Sequence, residues 1–297
     1  MEYMQGPGGF YVDDDTAVTL GKFDGLHRGH QKLVSRIREL EKQNCKSVIL
    51  TLNRMEKGQI LTDLERKRMA EKLGVDYLVD CPLIPEIMQM KPEAFVEDIL
   101  VRRLHAKYLV VGTDFRFGYQ RQGDYRLLQE LQRTYGFTVE VARKERYHGR
   151  DISSTYIRDE LAAGHMETVS ELLGYSFFVS GEVLHGWGRS RVCNLPTVKF
   201  AATTRKLLPP GGVYATRTII GKVSFPGITN IGCGQEGPES FRGVETYLFD
   251  FERELLGENI EIQFLKFIRP EKSFSSKEAL CRQMDADISS GKEYFSE

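Results

Sequence analysis

Two imidazoles three residues apart, His27 and His30, carry the clearest chemistry in this chain. They stand in Gly21-Lys22-Phe23-Asp24-Gly25-Leu26-His27-Arg28-Gly29-His30, between an apolar run over Thr16–Leu20 and an amphipathic run over Gln31–Leu40. That order predicts a strand, a glycine-rich turn and a helix. A helix N-terminus favours anions, because its free N–H groups and its dipole point outward. Lys22, His27, Arg28 and His30 gathered there predict a polyphosphate site. A bare histidine pair at a helix start is more often structural. The strand–turn–helix context shifts the balance toward phosphate.

A second segment reads Val111-Gly112-Thr113-Asp114-Phe115-Arg116-Phe117-Gly118, followed by Arg121-Gln122-Gly123-Asp124. Its glycines allow close backbone approach. Phe115 and Phe117 can wall a planar ring, and Arg116 and Arg121 can meet phosphate. Asp114 and Asp124 can hydrogen-bond a ligand or help hold Mg²⁺. In isolation the segment reads as a polar loop with two core phenylalanines. A third segment, Asp151-Ile152-Ser153-Ser154-Thr155-Tyr156-Ile157-Arg158, opens a helix on three successive hydroxyls, one of which should cap it.

Strands are predicted at Thr16–Leu20, Ser47–Leu52, Tyr77–Val79, Tyr108–Val111 and Thr138–Val141. They alternate with helices at Gln31–Gln43, Leu64–Leu73, Pro92–Leu104 and Tyr125–Thr134. Such alternation predicts a parallel sheet with helices on both faces, and ligands beyond the C-terminal ends of its strands. Both glycine-rich segments then fall on one rim. Helices at Ser154–Ala163 and Met166–Leu173 follow. Beyond them come β-rich runs, Phe177–Val183, Val213–Thr218, Gly227–Ile231, Glu245–Phe251 and Ile260–Phe267, which predict a small antiparallel barrel. A helix over Ser276–Ser289, capped by Ser275 or Ser276, ends the chain. The expected boundary near Tyr175 gives domains 1–174 and 175–297.

The length of 297 residues suits about two domains. A net charge of -1, from 41 basic and 42 acidic residues, gives no bulk electrostatic case for nucleic acid or an anionic membrane. No apolar run nears the ~20 residues of a membrane span, and the polar, acidic, glycine-rich start does not read as a signal peptide. Five widely spaced cysteines with no C-x-x-C predict neither a disulfide framework nor structural zinc. A cytoplasmic protein with reduced cysteines is expected. Oligomeric state is not legible.

The spacing H-x-G-H resembles the signature of adenylyl- and cytidylyltransferases. The longer G-x-F-D-G-x-H-x-G-H-Q is similar to prokaryotic FAD synthetases, as are V-G-x-D-F-x-F-G and I-S-S-T-x-I-R in the second and third segments. The resemblance implies an α/β chain whose Rossmann-like nucleotidyltransferase domain makes FAD and pyrophosphate from ATP and FMN. It implies His27 and His30 as donors to ATP phosphate oxygens, with Arg158 and Ser154 on the β- and γ-phosphates and Mg²⁺ bridging phosphates. Gly21, Lys22, Phe23, Asp24, Gly25, Gly29, Gly112, Ser153 and Thr155 would complete the nucleotide site. Asn53, Asp114, Phe115, Phe117 and Asp124 would line the flavin. One stretch departs: where many relatives carry T-F-D-P-H-P, this chain has Thr51-Leu52-Asn53-Arg54-Met55-Glu56, and Asn53 is left to replace one polar contact.

Residues 177–290 resemble the riboflavin kinase module of bifunctional flavokinase/FAD synthetases, through Leu195-Pro196-Thr197, Leu208-Pro209-Pro210-Gly211-Gly212-Val213-Tyr214 and Glu245-Thr246-Tyr247-Leu248-Phe249-Asp250-Phe251. Glu245 matches the base toward the riboflavin 5′-hydroxyl, and Thr197 a residue that helps hold Mg²⁺ and ATP. The ATP loop departs at Ser190, Asn194 and Lys199, and the flap 233–238 lacks the usual R-P-T-F. An ammonium at Lys199 offers no lone pair to Mg²⁺. A weak or inactive kinase module is therefore expected. A fully bifunctional enzyme and a non-catalytic flavin-binding or regulatory protein are the alternatives.

Overall fold

The computed structural model describes residues 1–6, 9–53, 58–189, 193, 195–233 and 242–296. Two units divide the chain: Met1–Glu56 with Leu61–Ser154, and Lys57–Ile60 with Thr155–Glu297.

In the first unit, six parallel strands stand in the order β1-β4-β3-β2-β5-β6. They are β1 (Glu2–Gln5), β2 (Thr16–Gly21), β3 (Lys46–Asn53), β4 (Tyr77–Pro82), β5 (Ala106–Gly112) and β6 (Thr138–Ala142). Val18, Val48, Ile49, Leu50 and Leu109 are wholly buried, as expected for parallel strands covered on both faces. The chain runs outward from β2 through β3 to β4, then returns to place β5 on the other side of β2. That reversal makes the C-terminal ends of β2 and β5 the crevice of the sheet.

The helices start and stop on local chemistry. Helix α1 (Arg28–Glu39) is capped by His27 and passes into a 3₁₀ turn, Leu40–Gln43, which Asn44 ends at φ 61°. Helix α2 (Asp63–Leu73) opens on a reciprocal Thr62/Glu65 capping box and stops at Gly74, φ 75°. Helix α3 (Tyr125–Tyr135) is capped by Asp124, which accepts from the N–H groups of Arg126 and Leu127. The helix expected over Pro92–Leu104 is an α turn, Pro92–Phe95, that continues as a π-helix over Val96–Arg103. Strand β1 was not expected. It has no buried residue and no apolar alternation, and is held as an edge by parallel pairing to β4.

The second unit holds α4 (Ser154–Ala163, whose first residue closes the first unit), α5 (Met166–Leu173) and a closed antiparallel barrel in the order β7-β8-β11-β10-β9-β12. Its strands are β7 (Phe178–Arg189), β8 (Pro196–Ala201), β9 (Gly212–Ile220), β10 (Val223–Cys233), β11 (Arg242–Leu248) and β12 (Asn259–Pro270). Strand β8 was read from sequence only as part of a loop. Buried Thr216, Thr229 and Thr246 join hydroxyls across three strands, at 2.7 and 2.9 Å. Helix α6 (Lys277–Tyr294) is capped by Ser276. Its Asp287 receives two hydrogen bonds from Arg269, at 2.7 and 2.6 Å, and Gly291 lies so near Ile228 that a Cβ there would come within 2.5 Å.

The division at Ser154, against the expected boundary at Tyr175, puts α4 and α5 with the barrel; Gly164, after α4, lies against Phe267 of β12. Segment Lys57–Ile60 also belongs to the second unit. The Gln59 N–H donates to the Arg205 carbonyl, the Leu207 N–H to the Gln59 carbonyl, and buried Lys206 Nζ to the Ile60 carbonyl, at 2.8, 2.8 and 2.7 Å. Cys193 and Cys281 form a disulfide across 88 residues. This corrects the expectation that the cysteines stay reduced: the long separation hides the pair, since only the fold brings α6 to the turn before β8.

Candidate active site

At the end of β2 the chain turns through Phe23 (φ 46°), Gly25 (φ 86°) and Leu26 (φ 38°). Phe23 and Leu26 are wholly buried, which holds these left-handed residues in place. The turn delivers His27 as the N-cap of α1. Its Nδ1 accepts from the His30 N–H at 3.3 Å, so the proton of the neutral ring sits on Nε2. The two imidazoles stack, 3.7 Å apart and 16° from parallel, and Phe23 packs against His30 at 4.9 Å. A Cβ at residue 29 would lie 3.3 Å from the His27 ring, so glycine leaves the stack room.

Burial pushes His27 down to about 4 and His30 well below its ordinary range, with the neighbouring imidazole adding to the second shift. Both rings are therefore neutral at pH 7 and act as hydrogen-bonding groups. The Nδ1 of His30 is buried and has no partner among the described residues. An orphaned polar atom at a helix N-terminus is poised for a ligand.

Ser154 of the third segment meets this turn directly, its Oγ donating to the Asp24 carbonyl at 2.8 Å. Asp24 Oδ1 also accepts from the Leu61 N–H at 3.4 Å. Past β5, Gly112 opens a turn closed by the Phe115 N–H. Asp114 pairs with Lys144 at 2.9 Å, and Lys144 lies 3.7 Å from Asp151. Phe115 and Phe117 stack at 5.5 Å, but Phe117 is core, packed on Phe95 and closed over by Gly123, where a Cβ would lie 2.7 Å from its ring. Only Phe115 keeps partial exposure. Lys22 is exposed, and Arg116 donates to the Phe115 carbonyl at 2.8 Å. The Asp124 carboxylate is engaged as the α3 cap and lies 3.2 Å from Arg126.

Arg158 and Thr155 belong to the second unit, where Arg158 Nη2 lies 3.4 Å from the Gly58 carbonyl. The side chain of Asn53 falls outside the described residues. Sequence reasoning missed a buried network beneath the β3–β4 end of the rim. Asp80 accepts from Thr51 at 2.6 Å, from Arg66 at 3.1 Å and from Tyr3 at 3.3 Å, and Arg66, 2% exposed, also meets Asp63. An aspartate inside an apolar strand was its one sequence signal.

In the barrel, Lys199 of β8 stands opposite Glu245 of β11. Thr197 Oγ1 donates to Glu245 Oε1 at 2.5 Å, and Lys199 Nζ lies 3.4 Å from Oε2. Glu245 is not at an edge, since β11 pairs with β10 on its other side. Ser190 and Asn194 lie outside the described residues, as do the side chains of Trp187 and Cys233 and residues 234–238 of the flap.

No group of three His, Cys, Asp or Glu able to hold a metal occurs among the described residues. Each carboxylate at issue is already committed: Asp114 to Lys144, Asp124 to a helix end, Glu245 to Lys199 and Thr197. No helix among the described residues is long and apolar enough to cross a membrane.

Comparison with known proteins identifies the family. The FAD synthetase family matches residues 11–156, and the riboflavin kinase family residues 173–295. The bifunctional riboflavin kinase/FMN adenylyltransferase of Escherichia coli K12 is 33% identical over 94% of this chain and 92% of its own length. That of Listeria monocytogenes is 31% identical over 96% and 94%. A solved structure described as a macrolide-efflux protein from Streptococcus pneumoniae superimposes with a TM-score of 0.82 at 25% identity, over 98% of this chain and 99% of that one. The two family matches in sequence, one after the other along the chain, and relatives aligned over nearly its whole length place this protein in the bifunctional riboflavin kinase/FMN adenylyltransferase family.

Proposed function

We propose that the rim of the parallel sheet transfers the AMP moiety of ATP to FMN, giving FAD and pyrophosphate, and that the barrel phosphorylates riboflavin weakly or not at all. The observation that carries the first part is the neutral, stacked histidine pair at the N-terminus of α1, at the reversal point of the sheet. An FMN phosphate oxygen attacks the α-phosphorus of ATP as the bond to the bridging oxygen breaks, and pyrophosphate leaves. The nucleophile is already an anion, so no general base is needed. Catalysis then rests on positioning and on hydrogen bonds to developing charge. His27 offers an Nε2–H whose tautomer its own helix sets. His30 adds a second buried ring nitrogen. Ser154 ties the third segment to the Asp24 turn.

The second part rests on Lys199. Its ammonium lies on the carboxylate that would take the riboflavin hydroxyl proton. Both oxygens of that carboxylate are engaged within the barrel, one by Thr197 and one by Lys199. A fully bifunctional enzyme is the second reading, favoured by the retained Thr197–Glu245 hydrogen bond and by the names of the relatives.

Product analysis tests both readings. Purified protein is incubated with Mg²⁺-ATP and either FMN or riboflavin, and the flavins are separated by chromatography. FAD from FMN, with no product from riboflavin, is expected. FMN or FAD from riboflavin overturns the kinase assignment. Flavin binding without pyrophosphate release makes the chain a non-catalytic binder.

A further inference from the structure

Helix α6 is held to the barrel mainly by its second half. Asp287, 3% exposed, and buried Gly291 make that contact, whereas no residue in Lys277–Gln283 is buried. The covalent link of the first half is Cys281, joined to Cys193 in the turn before β8. Strand β8 begins three residues later and carries Thr197 and Lys199. A bond at this place fixes both a weakly packed half-helix and the approach to the Thr197–Glu245–Lys199 cluster.

We propose that Cys193 and Cys281 form a reversible redox-modification site, closed by exchange with a low-molecular-weight disulfide and opened by a thiol. The thiolate of one cysteine attacks the disulfide, forms a mixed disulfide and expels one small thiolate. The second cysteine attacks the protein sulfur of that bond and expels the other. The two protons released by the cysteines end on the two small thiols, and the small disulfide is reduced as the protein pair is oxidised. Both cysteines are partly exposed, so the reagent can reach them. The two free cysteines described differ: Cys45 and Cys81 are buried, and burial pushes the Cys81 thiol up to about 11 and Cys45 in the same direction. Neither supplies a useful thiolate at neutral pH. Exchange is thereby directed to the pair that spans the turn and α6.

The test uses the full chain, held in oxidised glutathione or in dithiothreitol, then alkylated and mapped by peptide mass. A Cys193–Cys281 cross-linked peptide is expected in the first condition and its loss in the second. Hydrogen exchange over 277–283 and 195–199 should rise severalfold on reduction, because local opening is governed by the contacts that hold a segment. Cys281→Ser should show the fast exchange in both conditions. Free thiols at both positions in oxidised glutathione, or exchange in Cys281→Ser that still responds to redox state, overturns the proposal. A change in riboflavin affinity between the two states is a further expected consequence. That readout alone rests on the kinase-like reading of the barrel, so the peptide map and the exchange data stand or fall without it.

Discussion

The sheet rim and the barrel cluster each gather polar groups at a position where phosphate chemistry is expected, but they leave them in opposite states. At the rim, His27 and His30 are neutral and stacked, and His30 keeps a buried ring nitrogen with no partner among the described residues. In the barrel, Glu245 is already matched, by Thr197 on one oxygen and Lys199 on the other. An unmatched buried polar atom costs folding free energy and is tolerated where a ligand will complete it. A matched cluster gains little from a ligand. On the proposed reading, the difference separates a region that awaits a substrate from one whose carboxylate is already engaged by its neighbours.

The sharpest way to break the comparison is to remove the support beneath the rim. Asp80→Ala leaves the Arg66 guanidinium buried without its strand partner and should destabilise the first unit by about 3–5 kcal/mol, measured as a lowered denaturation midpoint. Next, His30→Ala should lower kcat/KM for FAD formation at least roughly tenfold, about 1.4 kcal/mol of transition-state stabilisation. Near-normal turnover in a folded variant would remove His30 from the mechanism. Lys199→Asn frees Glu245 and should raise riboflavin phosphorylation by about tenfold, a gain of the same size in the opposite direction, while FAD formation from FMN stays unchanged. No gain would mean that the lesion in the barrel lies elsewhere.

A smaller effect is expected for Asp124→Ala. Losing the α3 cap should cost about 1 kcal/mol of stability. If capping is its whole role, KM for FMN is unchanged; a raised KM would restore Asp124 to the flavin site. The smallest effect concerns pH. His27 binds its proton only near pH 4 in the folded chain, against about 6.5 when unfolded. Between those values the unfolded state holds more protons, so stability falls as pH drops from 6.5 toward 4 and is level above that window. FAD formation should likewise vary little with histidine charge between pH 7 and 8 and fade as pH falls toward 4, which a pH–rate profile would check.

Local chemistry was readable in the sequence. His27, Gly29 and His30 lie within one helical turn of each other, so spacing alone placed them at the start of α1. Serine punctuation marked the start of α6. That His27 is itself the cap was not readable, because the usual capping residues are Ser, Thr, Asp and Asn. Long-range pairing was hidden for a different reason. Strand β1 has no pattern apart from β4, Arg66 has no meaning apart from Asp80, and Cys193 lies 88 residues from Cys281. Such features exist only once the fold has brought distant segments together. Phe117 shows the converse error: read as a wall for flavin, it is claimed by the core through Phe95 and Gly123.

The placement of Lys57–Ile60 bears on how the gene can be divided. The chain leaves the first unit after Glu56, returns at Leu61 and leaves again after Ser154, so each unit is assembled from two pieces of the message. No single stop codon separates them cleanly. A fragment ending at Ser154 would carry Gln59 and Ile60 without Arg205, Lys206 and Leu207, the residues that hold their backbone. A faithful dissection would need Lys57–Ile60 replaced by a short soluble linker in one half and grafted back into the other.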